Sequence, residues 1–321
     1  MNFKNRLLPP SHNQIFQLEG YFVWGASVVR DESGLYHMFA SRWKKEATFS
    51  GWLTQSEIVH ATSPFPEGPF QDASPLTCLT DQEWSAKCVH NPTVLKVGTK
   101  YYLFYMGTTY GPDAADIPQD TGTHPARYRQ QIGVAVAGAP GGPWVPSKNN
   151  PILTPREAGY WDSTFVCNPS VSATKTGGIR MIYKAKWHTD DRLILGLAVA
   201  EHPEGPYERQ GPSPLFPYDV EDPFVWEEDG RYWMVAKDMS GALVGKYNGV
   251  LLESDDWEEW RISDRALAWD HTILWEEGGS ECPSHMERPQ ILMENGKPVC
   301  FYTAVGDAKT YSYNLARKFR A

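Results

Sequence analysis

Apolar residues along this chain alternate with polar ones in short runs of strand length, and no segment of ~11 residues or more keeps a helical period. One compound pattern recurs five times. A short, mostly polar motif precedes an apolar run, a glycine-containing turn and an aromatic-rich second run. The copies are WGASVVRDESGLYHMFAS from Trp24, HNPTVLKVGTKYYLFYMG from His90, CNPSVSATKTGGIRMIYKA from Cys167, EDPFVWEEDGRYWMVAKD from Glu221 and ERPQILMENGKPVCFYTA from Glu287. Their second positions are Gly25, Asn91, Asn168, Asp222 and Arg288, spaced by 66, 77, 54 and 66 residues.

Each copy reads as a β-hairpin, because Ser-Gly, Val-Gly, Gly-Gly, Asp-Gly or Asn-Gly at its centre accepts the positive φ of a tight turn. A second signature follows three copies, at Ser56–Phe70, Gln131–Trp144 and Leu193–Tyr207, and ends in Gly-Pro-aromatic. In the fourth copy Gly249–Trp260 takes that place without the Gly-Pro. These segments predict a third and a fourth strand joined by a turn.

Four strands per unit and five units predict an all-β, five-bladed β-propeller of four-stranded antiparallel blades, a single domain over residues 1–321. The fifth unit ends short of an outer strand. A segment around Gln14–Leu18 is expected to supply it and close the ring. The alternative, a β-sandwich with chance similarity between strands, is set against five copies in phase.

Composition narrows the function classes. A formal net charge of −9 argues against a nucleic-acid partner, which favours a basic excess. Aromatic residues at 13% against charged residues at 21% exclude a disordered chain. No run of ~18 apolar residues exists, so no membrane partner is expected. The N-terminus lacks a secretory apolar run, which points to the cytoplasm, or to the periplasm or outside if a leader has been trimmed. Five cysteines without metal-like spacing read as reduced packing thiols. The oligomeric state is not encoded in any motif.

The five polar-dipeptide blades, the EDP of the fourth and the Gly-Pro-aromatic outer hairpins resemble the five-bladed propeller glycoside hydrolases, families 43, 62, 32, 117 and 130 among them. The likeness runs from about Trp24 to Thr303 and fixes no single family. It implies that the starts of the five first strands line one axial pocket. Trp24 would then be a platform for a sugar ring, with Asn91, Asn168, His90 and Arg288 as convergent polar groups. Family 43 enzymes carry an Asp base in the first blade, a modulating Asp in the third and a Glu acid in the fourth. Here Trp24-Gly25 and Asn168 hold the first two places, so of the three only the fourth-blade acids, Glu221 and Asp222, match. Glu287 is an addition.

Glycosidic hydrolysis ordinarily uses two carboxyl groups. The catalytic candidates are Glu221, Asp222 and Glu287, with Glu19 and Asp162 on flanking loops and His90 as a substitute acid or base. Alternation along a strand predicts that only one of Glu221 and Asp222 faces the axis, and Asp222 is the expected one. Glu287 is the expected general acid. Glu19, a possible first-blade base, reads more readily as a surface residue, and Asp162 stands in the lead-in to the third blade.

Arg42, Lys184, Lys186 and Lys237 follow second strands and, with Arg288, form a set suited to an anionic group, unless they pair with the pocket's own acids. The resulting expectation is an exo-acting, inverting glycoside hydrolase releasing a terminal sugar from an oligosaccharide, with an anionic or modified sugar as one option. A phosphorylase using inorganic phosphate and a non-catalytic carbohydrate-binding propeller are the alternatives. No cofactor is expected. The resemblance leaves one option, a structural calcium in the central channel, although no dense oxygen-ligand motif marks it.

Overall fold

The computed structural model describes all residues except 112–123, 175, 176, 188–191, 212 and 321. Five four-stranded antiparallel sheets are arranged in sequence order. The first blade comprises Tyr21–Arg30, Tyr36–Lys44, Glu57–Ser63 and Gln71–Pro75. The second comprises Cys88–Val97, Lys100–Thr108, Gln131–Ala137 and Val145–Pro146. The third comprises Val166–Ala173, Ile179–Lys186, Leu193–Ala200 and Glu208–Arg209. The fourth comprises Val220–Glu228, Arg231–Asp238, Gly249–Ser254 and Arg261–Trp269.

The fifth blade has only three strands of its own, His285–Glu294, Lys297–Gly306 and Ser312–Lys318. Ile15–Phe16 adds the fourth, pairing Ile15 with Leu315 and Phe16 with Asn314. The ring is thus closed by the segment that the short fifth repeat called for. Upstream of it, Phe3 is fully buried against Trp226 and Phe301, and Arg6 forms two bonds of 2.9 and 3.0 Å to Glu228.

Packing between blades supplies the core. Trp226, Val235, Trp269, Phe301 and Leu315 fill the space between the fourth and fifth blades, and Phe104, Val134, Met181 and Tyr183 that between the second and third. Burying side chains of this size stabilises by roughly 1.5–3 kcal/mol each. The innermost strands are sheet edges, with backbone N–H groups that need partners. Hydroxyls of neighbouring blades provide them: Ser27 accepts from the Val94 N–H at 3.0 Å, Ser41 from Asn91 at 2.8 Å and Ser170 from Val225 at 3.1 Å. Ser312 accepts from Val23 at 2.9 Å, so the fifth blade clasps the first by the same device.

The feature that builds the site repeats in all five innermost strands. Pairing with the second strand slips between Trp24 and Ser27, His90 and Thr93, Cys167 and Ser170, Glu221 and Phe224, and Glu287 and Gln290. At each bulge the second residue of the motif is left-handed: Gly25 at φ 59°, Asn91 at 52°, Asn168 at 51°, Asp222 at 56° and Arg288 at 53°. Gly, Asn and Asp tolerate that region, whereas Arg288 pays strain for it. A bulge breaks the two-residue alternation. Consecutive residues such as Glu221 and Asp222 both line the axial pocket, which corrects the expectation that only one of them faces the axis.

Candidate active site

The five left-handed residues form a floor across the axis. Asn91 Nδ2 donates to Asn168 Oδ1 at 2.7 Å, Asn168 Nδ2 donates to Asp222 Oδ1 at 2.6 Å, and the Arg288 N–H donates to Asp222 Oδ2 at 3.1 Å. Gly25 completes the floor by having no side chain: a Cβ there would stand 2.9 Å from Asn91 Oδ1 and 3.6 Å from Arg288 Cγ and Nε. Arg288 is 1% exposed, and its guanidinium lies 3.5 Å from Asp222.

Above this floor stand the first residues of the motifs. Glu221 accepts from Lys184 and from Lys237, each at 2.8 Å. Lys237 reaches Glu287 at 2.5 Å, and His285 Nδ1 lies 2.8 Å from the same Glu287 oxygen. Burial alone would raise the Glu221 carboxyl, but the two ammonium groups pull it well below the usual range. Burial would likewise raise Glu287, and Lys237 with the His285 hydrogen bond brings it below its ordinary value. Asp222 moves the other way, pushed up by burial and by the charge of Glu221. Its two oxygens nonetheless both accept hydrogen bonds within the floor, so it holds structure.

The opposite wall is aromatic. Trp24, Trp43, Phe49 and Trp52 line the pocket, which has a volume of about 170 Å³. Phe49 and Trp52 ride on an insertion in the first blade, two short 3-10 turns at Lys45–Ala47 and Phe49–Leu53. Gly51 lets that insertion settle on the blade, since a Cβ would stand 2.6 Å from Ala47 Cβ and 2.9 Å from Trp43 Cδ1. His90 packs between Trp43 and Trp52, with Nδ1 2.8 Å from Ser56 Oγ. Burial, then the positive charges of Arg288 and Lys184, hold its imidazole well below its ordinary value, so it is neutral.

The structure thus brings together Trp24, His90, Asn91, Asn168, Lys184, Glu221, Asp222, Glu287 and Arg288 as pocket lining, with Lys237 bridging Glu221 and Glu287. It does not bring in the other candidates. Glu19 is exposed at the turn before the first blade. Asp162 is fully buried away from the pocket, clamped by Arg156 at 2.5 Å, Arg209 at 2.7 Å and the Tyr183 hydroxyl at 2.8 Å. Arg42 pairs with Glu57 at 2.8 Å and lies 4.5 Å over the Tyr21 ring. Within the cationic set Lys184 and Lys237 are bound to acids, whereas the three guanidinium nitrogens of Arg288 have no hydrogen-bond partner among the described residues.

Sequence reasoning missed Trp43, Phe49, Trp52, Gln130 and His285. His285 was within reach, since it stands two residues before Glu287 on one strand and so shares its face. The aromatic insertion carries no repeat signature. The stretch from Thr108 to Gln130 has few strand signals and is long enough to line a pocket rim; its end, Gln130, lines the pocket, and its acids Asp113 and Asp116 lie outside the described residues.

Glu221, Asp222 and Glu287 each offer an oxygen within 4.8 Å of the others. The axis nonetheless does not fit a structural calcium. Two ammonium groups already occupy the oxygens of Glu221, and the floor contributes one carboxylate beside a guanidinium, where a divalent cation would meet like charge.

No protein-family model matches the chain, and no curated protein matches it. Solved structures do. A family 117 glycoside hydrolase from the marine bacterium Zobellia galactanivorans superposes with a TM-score of 0.70 at 17% identity, covering 97% of this chain and 89% of that one. An α-L-arabinofuranosidase from Podospora anserina, solved with cellotriose, gives 0.67 at 11% identity and covers 99% of each chain. An endo-arabinase from Bacteroides thetaiotaomicron gives 0.61 at 13%, covering 98% of each. At these identities the likeness is one of fold, and the chain shares the five-bladed propeller of these glycoside hydrolases.

Proposed function

We propose that this protein is a glycoside hydrolase that takes the terminal sugar of an oligosaccharide into the axial pocket. The observation that carries the reading is the pairing, in one pocket of about 170 Å³, of an aromatic wall with a buried carboxylate pole. A sugar ring has apolar C–H faces and a polar rim, and these two walls complement it. The floor is closed by side chains, and the volume lies below the ~300–1,000 Å³ of sites for drug-sized ligands, which supports an exo mode.

Glu287 is the carboxylate suited to the anomeric carbon. Both of its hydrogen bonds fall on Oε1, and Oε2 carries none among the described residues. The Lys237 ammonium and the His285 hydrogen bond favour its ionised form, which suits it to attack carbon or stabilise an oxocarbenium-like transition state rather than to donate a proton. His285, bonded to the same carboxylate and packed beside Trp24 and Phe49 of the pocket wall, is the group placed to carry a proton to the leaving oxygen. The similar folds named arabinofuranosidase and endo-arabinase make arabinose-containing oligosaccharides the first substrates to try.

A panel of nitrophenyl glycosides and arabino- and xylo-oligosaccharides, followed by product chromatography, tests this. Wild type should release a single terminal sugar. A protein that binds these oligosaccharides and cleaves none would instead be a carbohydrate-binding propeller. That second reading has one observation in its favour: each of the three pocket carboxylates is already engaged by cations or by the floor. A phosphorylase is less well supported, because Lys184 and Lys237 are taken up by Glu221, which leaves a phosphate the buried Arg288 guanidinium beside Asp222.

A further inference from the structure

Lys237 occupies an unusual position, one ammonium between two carboxylates at the edge of a pocket. Its side chain is 5% exposed, its Nζ stands 2.8 Å from Glu221 Oε1 and 2.5 Å from Glu287 Oε1, and it lies 5.0 Å over the Tyr247 ring. Tyr247 holds a left-handed φ of 69°, a strained backbone for a bulky residue, which the loop tolerates in placing that ring. Lys246 lies 5.1 Å over the same ring, and Asp219, which senses the charge of Glu221, accepts from the Leu193 N–H. Lys184 bonds the second oxygen of Glu221, His285 shares the Glu287 oxygen, and Arg288 sits against Asp222. The Asp238 carboxylate points into its own loop, where it accepts from Gly241, Leu243 and Val244.

We propose that Lys237 is a positioning residue that binds Glu221 and Glu287 into one unit and keeps Glu287 an ionised, correctly aimed carboxylate, rather than a contact for an anionic substrate. Two carboxylates so close cannot both ionise freely without a cation between them. The ammonium supplies that cation from a buried strand, and its bond to Oε1 fixes the carboxyl plane so that Oε2 is the oxygen left for chemistry. Lys184 cannot substitute, because it contacts Glu221 alone. This role rests on the hydrolase reading for its catalytic consequence, but the charge clamp itself can be read from stability.

The test compares wild type, Lys237→Met and Lys237→Arg. In kcat/KM against pH on a cleaved glycoside, Lys237→Met should move the acidic limb upward by about one unit or more, since Glu287 then loses its proton only at higher pH. Lys237→Arg should restore the limb. A loss uniform across pH, with the limb in place, would mean a merely structural lysine and overturns the proposal.

Thermal unfolding against pH needs no substrate. In wild type the lowered carboxyls contribute stability present above their unfolded values near ~4.5 and lost as pH falls through the folded values. The Lys237→Met penalty should therefore be larger at pH 7 than at pH 4, and an equal penalty at both overturns the clamp. If wild type cleaves no glycoside but this pH dependence appears, the clamp stands and the hydrolase reading falls. Should Lys237→Met not fold, Lys237→Met with Glu221→Gln removes one buried charge of each sign, and the same two measurements apply to Glu287.

Discussion

Two adjacent tiers of the same five strands obey different rules. In the floor, Gly25, Asn91, Asn168, Asp222 and Arg288 all adopt a left-handed backbone and, Gly25 apart, are tied to one another by side-chain contacts. One step earlier, Trp24, His90, Cys167, Glu221 and Glu287 share no residue type beyond the two glutamates. The bulge explains the contrast. It dictates what can occupy the second position and leaves the first free, so architecture settled in the floor and chemistry in the tier above.

Substitutions in the two tiers should separate cleanly. The largest effect expected is on activity: Glu287→Gln should lower kcat/KM by about 100-fold or more, against a stability loss no larger than that of breaking one Lys237 contact, as steady-state kinetics and thermal melts would report. An equal loss of both would dissolve the distinction. Gly25→Ala should do the reverse, costing about 2–3 kcal/mol in denaturant unfolding, because its φ of 59° is unfavourable with a Cβ and that Cβ meets Asn91 Oδ1 at 2.9 Å. Asn168→Ala should cost about 1–3 kcal/mol by leaving Asn91 and Asp222 each short of a bond. Cys167→Ala should be the quietest. It is fully buried in the upper tier and is not among the residues lining the axial pocket, so kcat/KM should remain within about twofold.

The repeat made the propeller legible, because each blade repeats one hairpin with its own turn glycine. The truncated fifth unit also located the closing strand, found at Ile15–Phe16. The pocket's polar floor was legible for the same reason, since it sits at a fixed place in every copy. The direction of individual side chains was not. Period-two alternation assigned Glu221 and Asp222 to opposite faces, and only the bulge, a backbone event, turns both to the axis. Partners remote in sequence were equally hidden: nothing near Asp162 announces Arg209, and nothing near Arg42 announces Glu57. Half of the pocket wall came from Phe49 and Trp52, which belong to an insertion present once and so leave no repeat to read.

The most direct test is a crystal structure of Glu287→Gln with an oligosaccharide that wild type cleaves or, failing cleavage, binds. The terminal ring should stack within the wall of Trp24, Trp43, Phe49 and Trp52, with its anomeric carbon about 3.5 Å from the residue-287 side chain. A sugar seated at the opposite mouth of the propeller, or with its anomeric carbon turned away from residue 287, would contradict the assignment of this pocket as the catalytic site.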